Sequence, residues 1–476
     1  MTKVRVRFAP SPTGHIHVGN MHTTLFNWLF CRHHGGTFVL RLEDTDLVRS
    51  EKRYEEIIYE EMRWLGLEWD EGPDIGGRFS PYRQTERLGL YQQYADKLLQ
   101  AGKCYPCYCT EEELAKARDI AMSKGENPVY NGHCRELSAA EREQLEAAGR
   151  KPSLRFKVPR GEKIVLEDLI RGAIEFESDN IGDFIIVRSN GMPIYNYAVV
   201  IDDVTMEITH IIRGDEHISN TPVQILLYKA LGFPLPTFAH ASIILGEDRT
   251  KLSKRKHTEA FVGQFREKGY LPEALFNFLA LLGWAPPDGE EIRDRESVIR
   301  DFTLDRVAKS PAVFSTEKLN WLNAHYIKAS TPERIAELSL PFLAKAGLEW
   351  TDREWLNKCV AAVQDYPSYL AELPEHISIF FGHVKYEDDA QELLATEEAK
   401  CVVRAFAELF EAHTDTVSPD DLKAIFKQAG QKSGTKGKSL YMPVRAALTG
   451  RTHGPELPVI INCLGRDIAL KRLKSV

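Results

Sequence analysis

Two short stretches of this 476-residue chain combine residue types that suit the binding of phosphate groups. The first, residues 12–20, reads PTGHIHVGN, and the second, residues 251–255, reads KLSKR. Histidine and asparagine side chains can donate hydrogen bonds to phosphate oxygens, glycine lets the backbone come close, and lysines stabilise negative charge on a departing phosphate. Both stretches therefore indicate places where a nucleoside triphosphate is held.

The elements around the first stretch would place it at the edge of a sheet. Residues 4–8 alternate apolar and basic side chains as a half-buried strand does, residues 21–34 carry apolar residues at helical spacing, and residues 37–42 resemble another strand. A loop between a parallel strand and a helix lies at the helix N-terminus, where free N–H groups favour phosphate. The side chains of His17 and Asn20 would be the donors. The spacing matches neither a Walker loop nor the dinucleotide fingerprint, and an ordinary glycine turn is the alternative interpretation.

The second stretch lies in a polar loop, residues 246–257, between an apolar run and a helical pattern that begins near Thr258. Its lysines and arginines stand beside serine and threonine hydroxyls, and this combination suits a loop that closes over a transferring phosphate chain. A run of charges in a loop is also compatible with a solvated surface, which is the alternative interpretation.

Together the two stretches resemble the HIGH and KMSKS signatures of class I aminoacyl-tRNA synthetases, with residues 17–20 in the first role and residues 251–255 in the second. Other segments look like glutamyl-tRNA synthetases of the bacterial type, and the resemblance covers essentially the whole chain. These segments are RFAPSPTG at 7–14, LEDTD at 42–46, GPD at 72–74, YRQTER at 82–87, RGDEH at 213–217 and LPEAL at 271–275. The resemblance implies a glutamate–tRNA ligase that uses ATP and Mg²⁺ to form glutamyl-adenylate from L-glutamate and then charges the 3′ end of tRNA-Glu.

The resemblance also implies which residues carry out this chemistry. The residues expected to bind ATP are His17, Gly19, Asn20, Glu216 and Lys254. The residues expected to be catalytic are His17, Asn20, Lys251, Ser253 and Lys254. Lys251 and Lys254 would neutralise the departing pyrophosphate together with Mg²⁺, and no side chain is expected to act as a covalent nucleophile.

A pocket for glutamate needs one acid for the ammonium group and two cations for the carboxylates, and the family-matched positions supply that set. The residues expected to bind glutamate are Arg7, Ala9, Ser11, Glu43, Tyr195 and Arg213. By resemblance, Glu43 and Ser11 hold the ammonium group. Arg7 with Tyr195 takes the side-chain carboxylate, and Arg213 takes the α-carboxylate, since arginine suits planar carboxylates. Val199 departs from the family pattern, in which an asparagine is sometimes found at this position.

Half of the eight cysteines fall close together in the sequence, at Cys104, Cys107, Cys109 and Cys134. Their spacing resembles the zinc-binding insertion of some family members, which implies that Cys107, Cys109 and Cys134 hold a structural Zn²⁺ in a tetrahedral site. Tyr130 is the preferred fourth ligand, with Glu136 as the second choice and His133 as a further candidate. A reduced cysteine cluster without metal remains the alternative.

Composition sets wider limits on the class of protein. The chain is long enough for several domains, and its 43% of hydrophobic residues can form more than one core. The sequence contains neither a run of about 18 apolar residues nor a signal-peptide pattern, so a cytoplasmic enzyme without a membrane segment is expected, as a monomer. The net charge of −8 does not exclude an RNA partner, because basic stretches occur locally.

The predicted fold class is α/β, with a Rossmann-type parallel-sheet catalytic domain, an α+β insertion and an all-α C-terminal half that reads the anticodon. Residues 1–100 and 188–240 are expected to form the catalytic domain, and residues 101–187 the acceptor-binding insertion. Residues 241–322 would form a linking domain with the KMSKS-type loop, and residues 323–476 the helical region. Helical patterns after Thr331, around Phe406 and from Ser418 to near Gly430 support this last assignment.

Three alternatives concern substrate and function. A tRNA-binding paralogue without catalysis would be expected to lose Lys254, Arg7 or Arg213, and all three are present. A tRNA-modifying glutamyl transferase would usually lack the helical half. Residues 359–373 match the segment where an arginine reads the third anticodon base in relatives specific for tRNA-Glu, but they contain no arginine. This absence predicts that tRNA-Gln is charged with glutamate as well.

Overall fold

In the computed structural model, residues 3–46, 49–252, 260–382, 384–413 and 417–476 are described. The chain divides into two units, of which the first comprises Met1–Gln264 and Leu275–Ser315 and the second comprises Phe265–Ala274 and Thr316–Val476. The strands are β1 (Arg5–Phe8), β2 (Thr37–Leu40), β3 (Cys104–Cys107), β4 (Ser153–Phe156), β5 (Lys163–Asp168), β6 (Gly172–Glu177), β7 (Phe184–Val187), β8 (His210–Gly214), β9 (Thr237–Ala241), β10 (Ile244–Leu245) and β11 (Ala312–Val313).

Parallel strands form the centre of the first unit. β1 pairs in parallel with β2, and β8 pairs in parallel with β9. The two pairs are joined where the Thr209 N–H donates to the Arg5 carbonyl at 2.9 Å and the Arg5 N–H donates to the Thr209 hydroxyl at 2.9 Å. β5 meets β9 in parallel at Asp168, and β6 pairs antiparallel with β5. The carboxyl ends of β1, β8 and β9 therefore lie on one edge of the parallel arrangement.

The helices of the N-terminal part are α1 (Val18–His33), α2 (Lys52–Trp64), α3 (Leu88–Gln100), α4 (Glu111–Ser123), α5 (Ala139–Ala147), α6 (Tyr195–Thr205), α7 (Thr221–Leu231), α8 (Val262–Lys268), α9 (Pro272–Leu281) and α10 (Arg295–Asp301). α1 follows β1 and precedes β2, as the sequence predicted. Its apolar side chains Met21, Leu25 and Leu29 are fully buried. A second antiparallel sheet with the order β3-β4-β7 lies in the segment between the two halves of the parallel arrangement.

The second unit contains helices and no strands among its described residues. Its helices are α11 (Thr316–Ala329), α12 (Pro332–Lys345), α13 (Arg353–Val363), α14 (Leu373–Ile377), α15 (Asp388–Ala395), α16 (Glu397–Ala412), α17 (Pro419–Ser433), α18 (Lys438–Thr449), α19 (Leu457–Leu464) and α20 (Arg466–Lys474). The predicted fold class, a parallel-sheet α/β part followed by a helical part, is confirmed. In the described ranges, no helix is long and apolar enough to cross a membrane.

Local sequence signals explain several of these helices. The Thr331 hydroxyl accepts a hydrogen bond from the Arg334 N–H, and Pro332 occupies the first helical position, as predicted. Phe406 and Phe410 are fully buried on one face of α16, and the Phe406 ring centroid lies 4.5 Å from that of Phe426. This aromatic contact joins α16 to α17 within the core of the helical unit.

The predicted end of α17 near Gly430 is wrong, because the helix continues to Ser433. Gly434 ends it in a left-handed conformation with φ of 67°, which glycine adopts without a steric penalty. Gly430 serves a different purpose, since a Cβ there would lie 2.9 Å from the Thr435 carbonyl oxygen. The sequence contained two suitable glycines, and only the three-dimensional packing distinguishes a helix stop from a close backbone approach.

Candidate active site and metal centre

The first predicted motif lies at the N-terminus of α1. His17 is the N-cap residue, and its Nδ1 accepts a hydrogen bond from the Gly19 N–H at 3.2 Å. This bond closes the turn and fixes the imidazole ring, which is 5% exposed. Asn20 lies in the first turn of α1 and is exposed, and Gly19 is half-buried. The turn therefore places the side chains of His17 and Asn20 at a helix N-terminus, where the helix dipole favours an anion, while the N–H groups of Val18 and Gly19 are bonded within the protein.

A segment that follows the second motif pairs directly with the first. The Val18 N–H donates to the Ala260 carbonyl at 2.9 Å, and the Val262 N–H donates to the Ile16 carbonyl at 3.1 Å. The Phe261 ring packs edge-on against His17, with ring centroids 5.8 Å apart. Although the two motifs are far apart in the sequence, this short antiparallel bridge brings residues 260–262, which follow the second motif, to the first motif.

Glu61 on α2 holds both segments of this bridge. One carboxylate oxygen accepts the Ile16 N–H at 3.1 Å, and the other accepts the Gly263 N–H at 3.1 Å. The second oxygen also lies 3.2 Å from His15 Nδ1. Glu61 is 3% exposed, and a Cβ at Gly263 would lie only 2.8 Å from its carboxylate. Glu61 thus joins the two motif-bearing segments through a single side chain.

The described part of the second motif, Lys251 and Leu252, forms the returning arm of a hairpin. Lys251 pairs with Leu245, and the Leu252 N–H donates to the Ile244 carbonyl at 3.0 Å. Lys251 is exposed, and its charge is among those that lower the pKa of His217. Burial is the main cause of that shift, which takes the His217 pKa to about 4. Ser253 and Lys254, which the sequence predicted to be catalytic, lie outside the described residues.

A network of buried ion pairs surrounds Arg7 at the end of β1. Arg7 Nε donates to Asp203 at 3.3 Å, and Arg41 Nη1 donates to the same carboxylate at 2.7 Å. Arg41 also donates to Glu43 at 3.1 Å. Burial would raise the pKa of Asp203, but the charges of Arg7 and Arg41 outweigh it and hold that pKa below its usual value. The network therefore fixes the Arg7 guanidinium, because the Asp203 carboxylate that it contacts is held in its charged form.

The other residues predicted to bind glutamate come from neighbouring loops. The Glu43 N–H donates to the Pro10 carbonyl at 3.0 Å, which places Glu43 beside the segment that contains Ala9 and Ser11. Burial raises the pKa of Glu43, against the opposing charge of Arg41. Tyr195 begins α6, and its pKa is raised by the protein packed around it and by the charge of Glu43.

Arg213 at the end of β8 is held by uncharged groups. Its Nε lies 3.1 Å from His240 Nε2, and its Nη2 donates to the Thr221 hydroxyl and to Gln224 Oε1, both at 2.9 Å. Arg213 is 5% exposed, and its Nη1 is buried without a hydrogen bond to any described residue. Burial lowers its pKa, while the Arg7 charge acts in the same direction. Arg213 thus offers an unused donor, Nη1, and its guanidinium is close enough to Arg7 and Tyr195 for their charges to act on its pKa.

Glu216, predicted to approach the nucleoside, follows Arg213 by three residues in the short helix Asp215–Asn220. Its side chain is exposed and folds over Gly214, so a Cβ at position 214 would push this carboxylate to another position.

The predicted metal ligands come together in the antiparallel segment. The sulfur atoms of Cys107, Cys109 and Cys134 all lie within 4.8 Å of one another, and those of Cys109 and Cys134 are 3.5 Å apart. Tetrahedral coordination with Zn–S bonds of about 2.3 Å requires sulfur separations of about 3.8 Å, so the three thiols fit such a site. Cys104 belongs instead to the neighbouring apolar core.

Among the three candidates for the fourth ligand, only Tyr130 reaches the cysteines in the described contacts. Its hydroxyl lies 3.6 Å from Cys107 Sγ and 3.4 Å from Cys109 Sγ, and it accepts the Cys134 N–H at 2.9 Å. The Glu136 side chain is 83% exposed and lies near Arg135, and His133 is exposed.

Comparisons with known proteins agree with this geometry. The family model of tRNA synthetases class I (E and Q), catalytic domain, matches residues 3–321, and an anticodon binding domain model matches residues 334–476. The chain is 53% identical to a glutamate–tRNA ligase of Carboxydothermus hydrogenoformans over 99% of both chains. It is 46% identical to that of Bacillus subtilis, over 100% of this chain and 99% of the relative. The chain belongs to the class I tRNA synthetase family.

A solved structure shows the same architecture. The glutamate tRNA ligase of Elizabethkingia meningosepticum, crystallised in complex with its amino acid, matches with a TM-score of 0.91 and 33% identity, over 99% of each chain. The class I synthetase fold is therefore shared along the whole chain, including the helical part.

Sequence reasoning missed the residues that hold the site residues in place. Asp203 and His240 were not identified, although both carry a recognisable signal. Asp203 follows a run of buried apolar residues in α6, and His240 stands inside the apolar strand β9. A buried carboxylate or imidazole needs a polar partner, but the sequence does not show which distant residue supplies it.

The bridge between the two motifs predicts a local loss of stability when Glu61 is removed. In Glu61→Ala, the Ile16 and Gly263 N–H groups lose their acceptor, which costs about 1–3 kcal/mol for each buried group. Amide hydrogen exchange should therefore show reduced protection at Ile16 and Gly263. Glu61→Gln, which keeps one acceptor oxygen, should lie between wild type and alanine. The exposed Glu56 on the same helix gives the control variant Glu56→Ala, and unchanged protection in Glu61→Ala would contradict this role.

Proposed function

We propose that this chain is a glutamate–tRNA ligase. It activates L-glutamate with ATP to give glutamyl-adenylate and pyrophosphate, and it transfers the glutamyl group to the terminal ribose of tRNA-Glu. The observation that carries this proposal is the pair of buried arginines, Arg7 and Arg213, at the carboxyl ends of neighbouring parallel strands. The charge of Arg7 acts on Glu43, and it also acts on Arg213. The full-length similarity to glutamate–tRNA ligases supports it.

The pocket has the charges that glutamate requires. Arg7, fixed by Asp203, binds the side-chain carboxylate together with the Tyr195 hydroxyl. Arg213 binds the α-carboxylate through its unused Nη1, and Glu43 with Ser11 binds the ammonium group, beside Ala9. Two guanidinium groups favour a dicarboxylate over glutamine, whose neutral amide leaves a buried charge without a counter-charge.

Activation of glutamate is achieved by positioning and by positive charge. One α-carboxylate oxygen attacks the α-phosphate of ATP, and the bond to pyrophosphate breaks as negative charge moves to the leaving group. His17, Gly19 and Asn20 bind the triphosphate at the start of α1, and Glu216 contacts the nucleoside. The residues of the second motif, Lys251, Ser253 and Lys254, stabilise the pyrophosphate, with Mg²⁺ as a further counter-charge when bound.

The remaining parts of the chain bind tRNA. Residues 101–187 face the acceptor end, residues 241–322 link the active site to the rest, and residues 323–476 read the anticodon. The catalytic domain itself comprises residues 1–100 and 188–240. The enzyme works as a cytoplasmic monomer in this proposal. A non-catalytic paralogue and a tRNA-modifying transferase are disfavoured, because the arginines Arg7 and Arg213 and the helical part are all retained.

Arg7→Gln tests the assignment of the side-chain carboxylate. Removing one member of a buried charge pair costs about 3–5 kcal/mol, so kcat/KM for glutamate in tRNA charging should fall by about a hundredfold to a few thousandfold. The KM for ATP should change little, because Arg7 does not contact ATP in this assignment. Arg5→Gln on the same strand removes the ion pair with Glu71 and the bond to the Met206 carbonyl, neither of which involves a predicted pocket residue, and should leave the KM for glutamate near wild type. An unchanged kcat/KM in Arg7→Gln would show that another residue binds this carboxylate.

We also propose that Cys107, Cys109, Cys134 and Tyr130 hold a structural Zn²⁺. Elemental analysis of chelator-washed protein should give close to one zinc per chain, and Cys107→Ser should lose the metal together with thermal stability, since a structural site contributes folding energy. Tyr130→Phe should weaken zinc retention, and Glu136→Gln should not. The exposed Cys401 provides the control Cys401→Ser. Metal-free wild-type protein with full activity and an unchanged melting temperature would exclude the zinc site.

The last part of the proposal concerns tRNA-Gln. Residues 359–373, which run from the end of α13 into α14, contain no arginine to read the third anticodon base. A missing guanidinium removes a bidentate donor worth about 1–3 kcal/mol, on the order of ten- to a hundredfold in discrimination. Purified tRNA-Gln should therefore accept glutamate at a rate within about a hundredfold of tRNA-Glu. A rate more than about a thousandfold lower would mean that the enzyme discriminates by other contacts.

A further inference from the structure

Asp168, His240 and Arg213 form a buried line of hydrogen bonds across three neighbouring strands. His240 Nδ1 lies 2.6 Å from Asp168 Oδ2, and His240 Nε2 lies 3.1 Å from Arg213 Nε. The side chains of His240 and Asp168 are 0% exposed, and Arg213 is 5% exposed. Water is thus kept away from these contacts, so the donors that form the line are satisfied by acceptors of the protein itself.

The geometry fixes where the imidazole proton lies. Arginine Nε can only donate, so His240 Nε2 has to accept, and the ring proton has to be on Nδ1, where Asp168 accepts it. The Thr221 hydroxyl lies 3.2 Å from the same Nε2, but it already donates to the His217 carbonyl at 3.0 Å. His240 is therefore neutral in one defined tautomer. Burial lowers its pKa, and the Arg213 charge adds to that effect against the opposing bond to Asp168.

Asp168 is itself held in one orientation. Its Oδ1 accepts the backbone N–H groups of Ile170 at 2.9 Å and Arg171 at 2.8 Å. The turn after β5 thereby leaves Oδ2 for His240. Because the backbone sets the orientation of the carboxylate, it also sets which atoms donate: His240 Nδ1 donates to Asp168, and Arg213 Nε donates to His240 Nε2.

The far end of the line leaves Arg213 with a vacant donor. Its Nε is used by His240, and its Nη2 by Thr221 and Gln224. Gln224 is oriented in turn by a bond from its amide nitrogen to Asn196 at 3.0 Å. Nη1 is buried and forms no hydrogen bond with the described residues. The guanidinium is thus fixed on two sides and free on the third.

We propose that Asp168 and His240 are positioning residues that hold Arg213 with Nη1 available for the α-carboxylate of the amino acid. The inference rests on the proposed function, because it assigns that carboxylate to Arg213. It adds that binding of the amino acid depends on the tautomer of His240. Asp168, which contacts no substrate, sets this tautomer. An arginine held this way loses little conformational entropy when the carboxylate binds.

Asp168→Asn is the sharpest test. Its amide oxygen can keep the backbone N–H groups, while its amide nitrogen then donates towards His240 Nδ1. The ring proton moves to Nε2 and meets the Arg213 Nε–H, so that two donors face each other. A conflict of about 1–3 kcal/mol should raise the KM for glutamate by about five- to a hundredfold, with kcat and the KM for ATP changed by less than about threefold.

A matched pair of variants at His240 separates its two bonds. The amide oxygen of His240→Gln can reach the Nε2 position and accept from Arg213, whereas His240→Asn reaches only towards Asp168. The KM for glutamate should therefore rise more in His240→Asn than in His240→Gln. A purely structural role would affect both variants alike and would not order the KM values in this way.

Nitrogen-15 NMR of the intact wild-type chain gives a measurement that needs no variant. His240 should show a protonated Nδ1 and an unprotonated Nε2, and Asp168→Asn should exchange the two. A protonated Nε2 in wild type, or an unchanged KM for glutamate in folded Asp168→Asn and His240→Asn, would overturn this inference alone. Failure of the wild-type enzyme to charge any tRNA with glutamate would instead overturn the proposed function.

Discussion

The constraint on which the site depends is the pairing of buried charge at the carboxyl ends of the parallel strands. A guanidinium or carboxylate group taken out of water is costly unless an opposite charge or a hydrogen bond compensates it. Most of the buried charges here compensate one another within a network formed by Arg7, Arg41, Arg87, Glu43, Asp202 and Asp203. This network is rigid, because the carboxylates of Asp202 and Asp203 each contact more than one group and both residues lie on α6.

Arg213 differs from the arginines of that network. Its three hydrogen-bond partners, His240, Thr221 and Gln224, are all neutral, and among the described residues it forms no ion pair. A buried cation held only by neutral groups has a positive charge available for an anionic ligand. The amino-acid pocket therefore has a physical reason to favour a carboxylate at this position, in addition to its similarity to relatives.

Much of the fold could be predicted from local sequence signals. Periodicity identified the strand, turn and helix around His17, and the pattern after Thr331 identified the start of α12. The cysteine spacing identified three thiols that do lie together. The end of α17 was misplaced, because a glycine that stops a helix and a glycine that admits a neighbouring backbone look the same in sequence.

The supporting residues could not be predicted in the same way. Asp203 meets Arg7 across 196 positions, and Glu61 meets Gly263 across 202. Such partners depend on how strands and helices are ordered in space, which no short motif encodes. The assigned roles of Ser253 and Lys254 stay predictions, since both lie outside the described residues.

A crystal structure of this chain with glutamate bound tests the central claim most directly. The account predicts that an oxygen of the α-carboxylate lies about 2.7–2.9 Å from Arg213 Nη1, with the contacts of Arg213 to His240, Thr221 and Gln224 unchanged. A glutamate bound with its α-carboxylate on another cation, and with Arg213 Nη1 still without an acceptor, would contradict it.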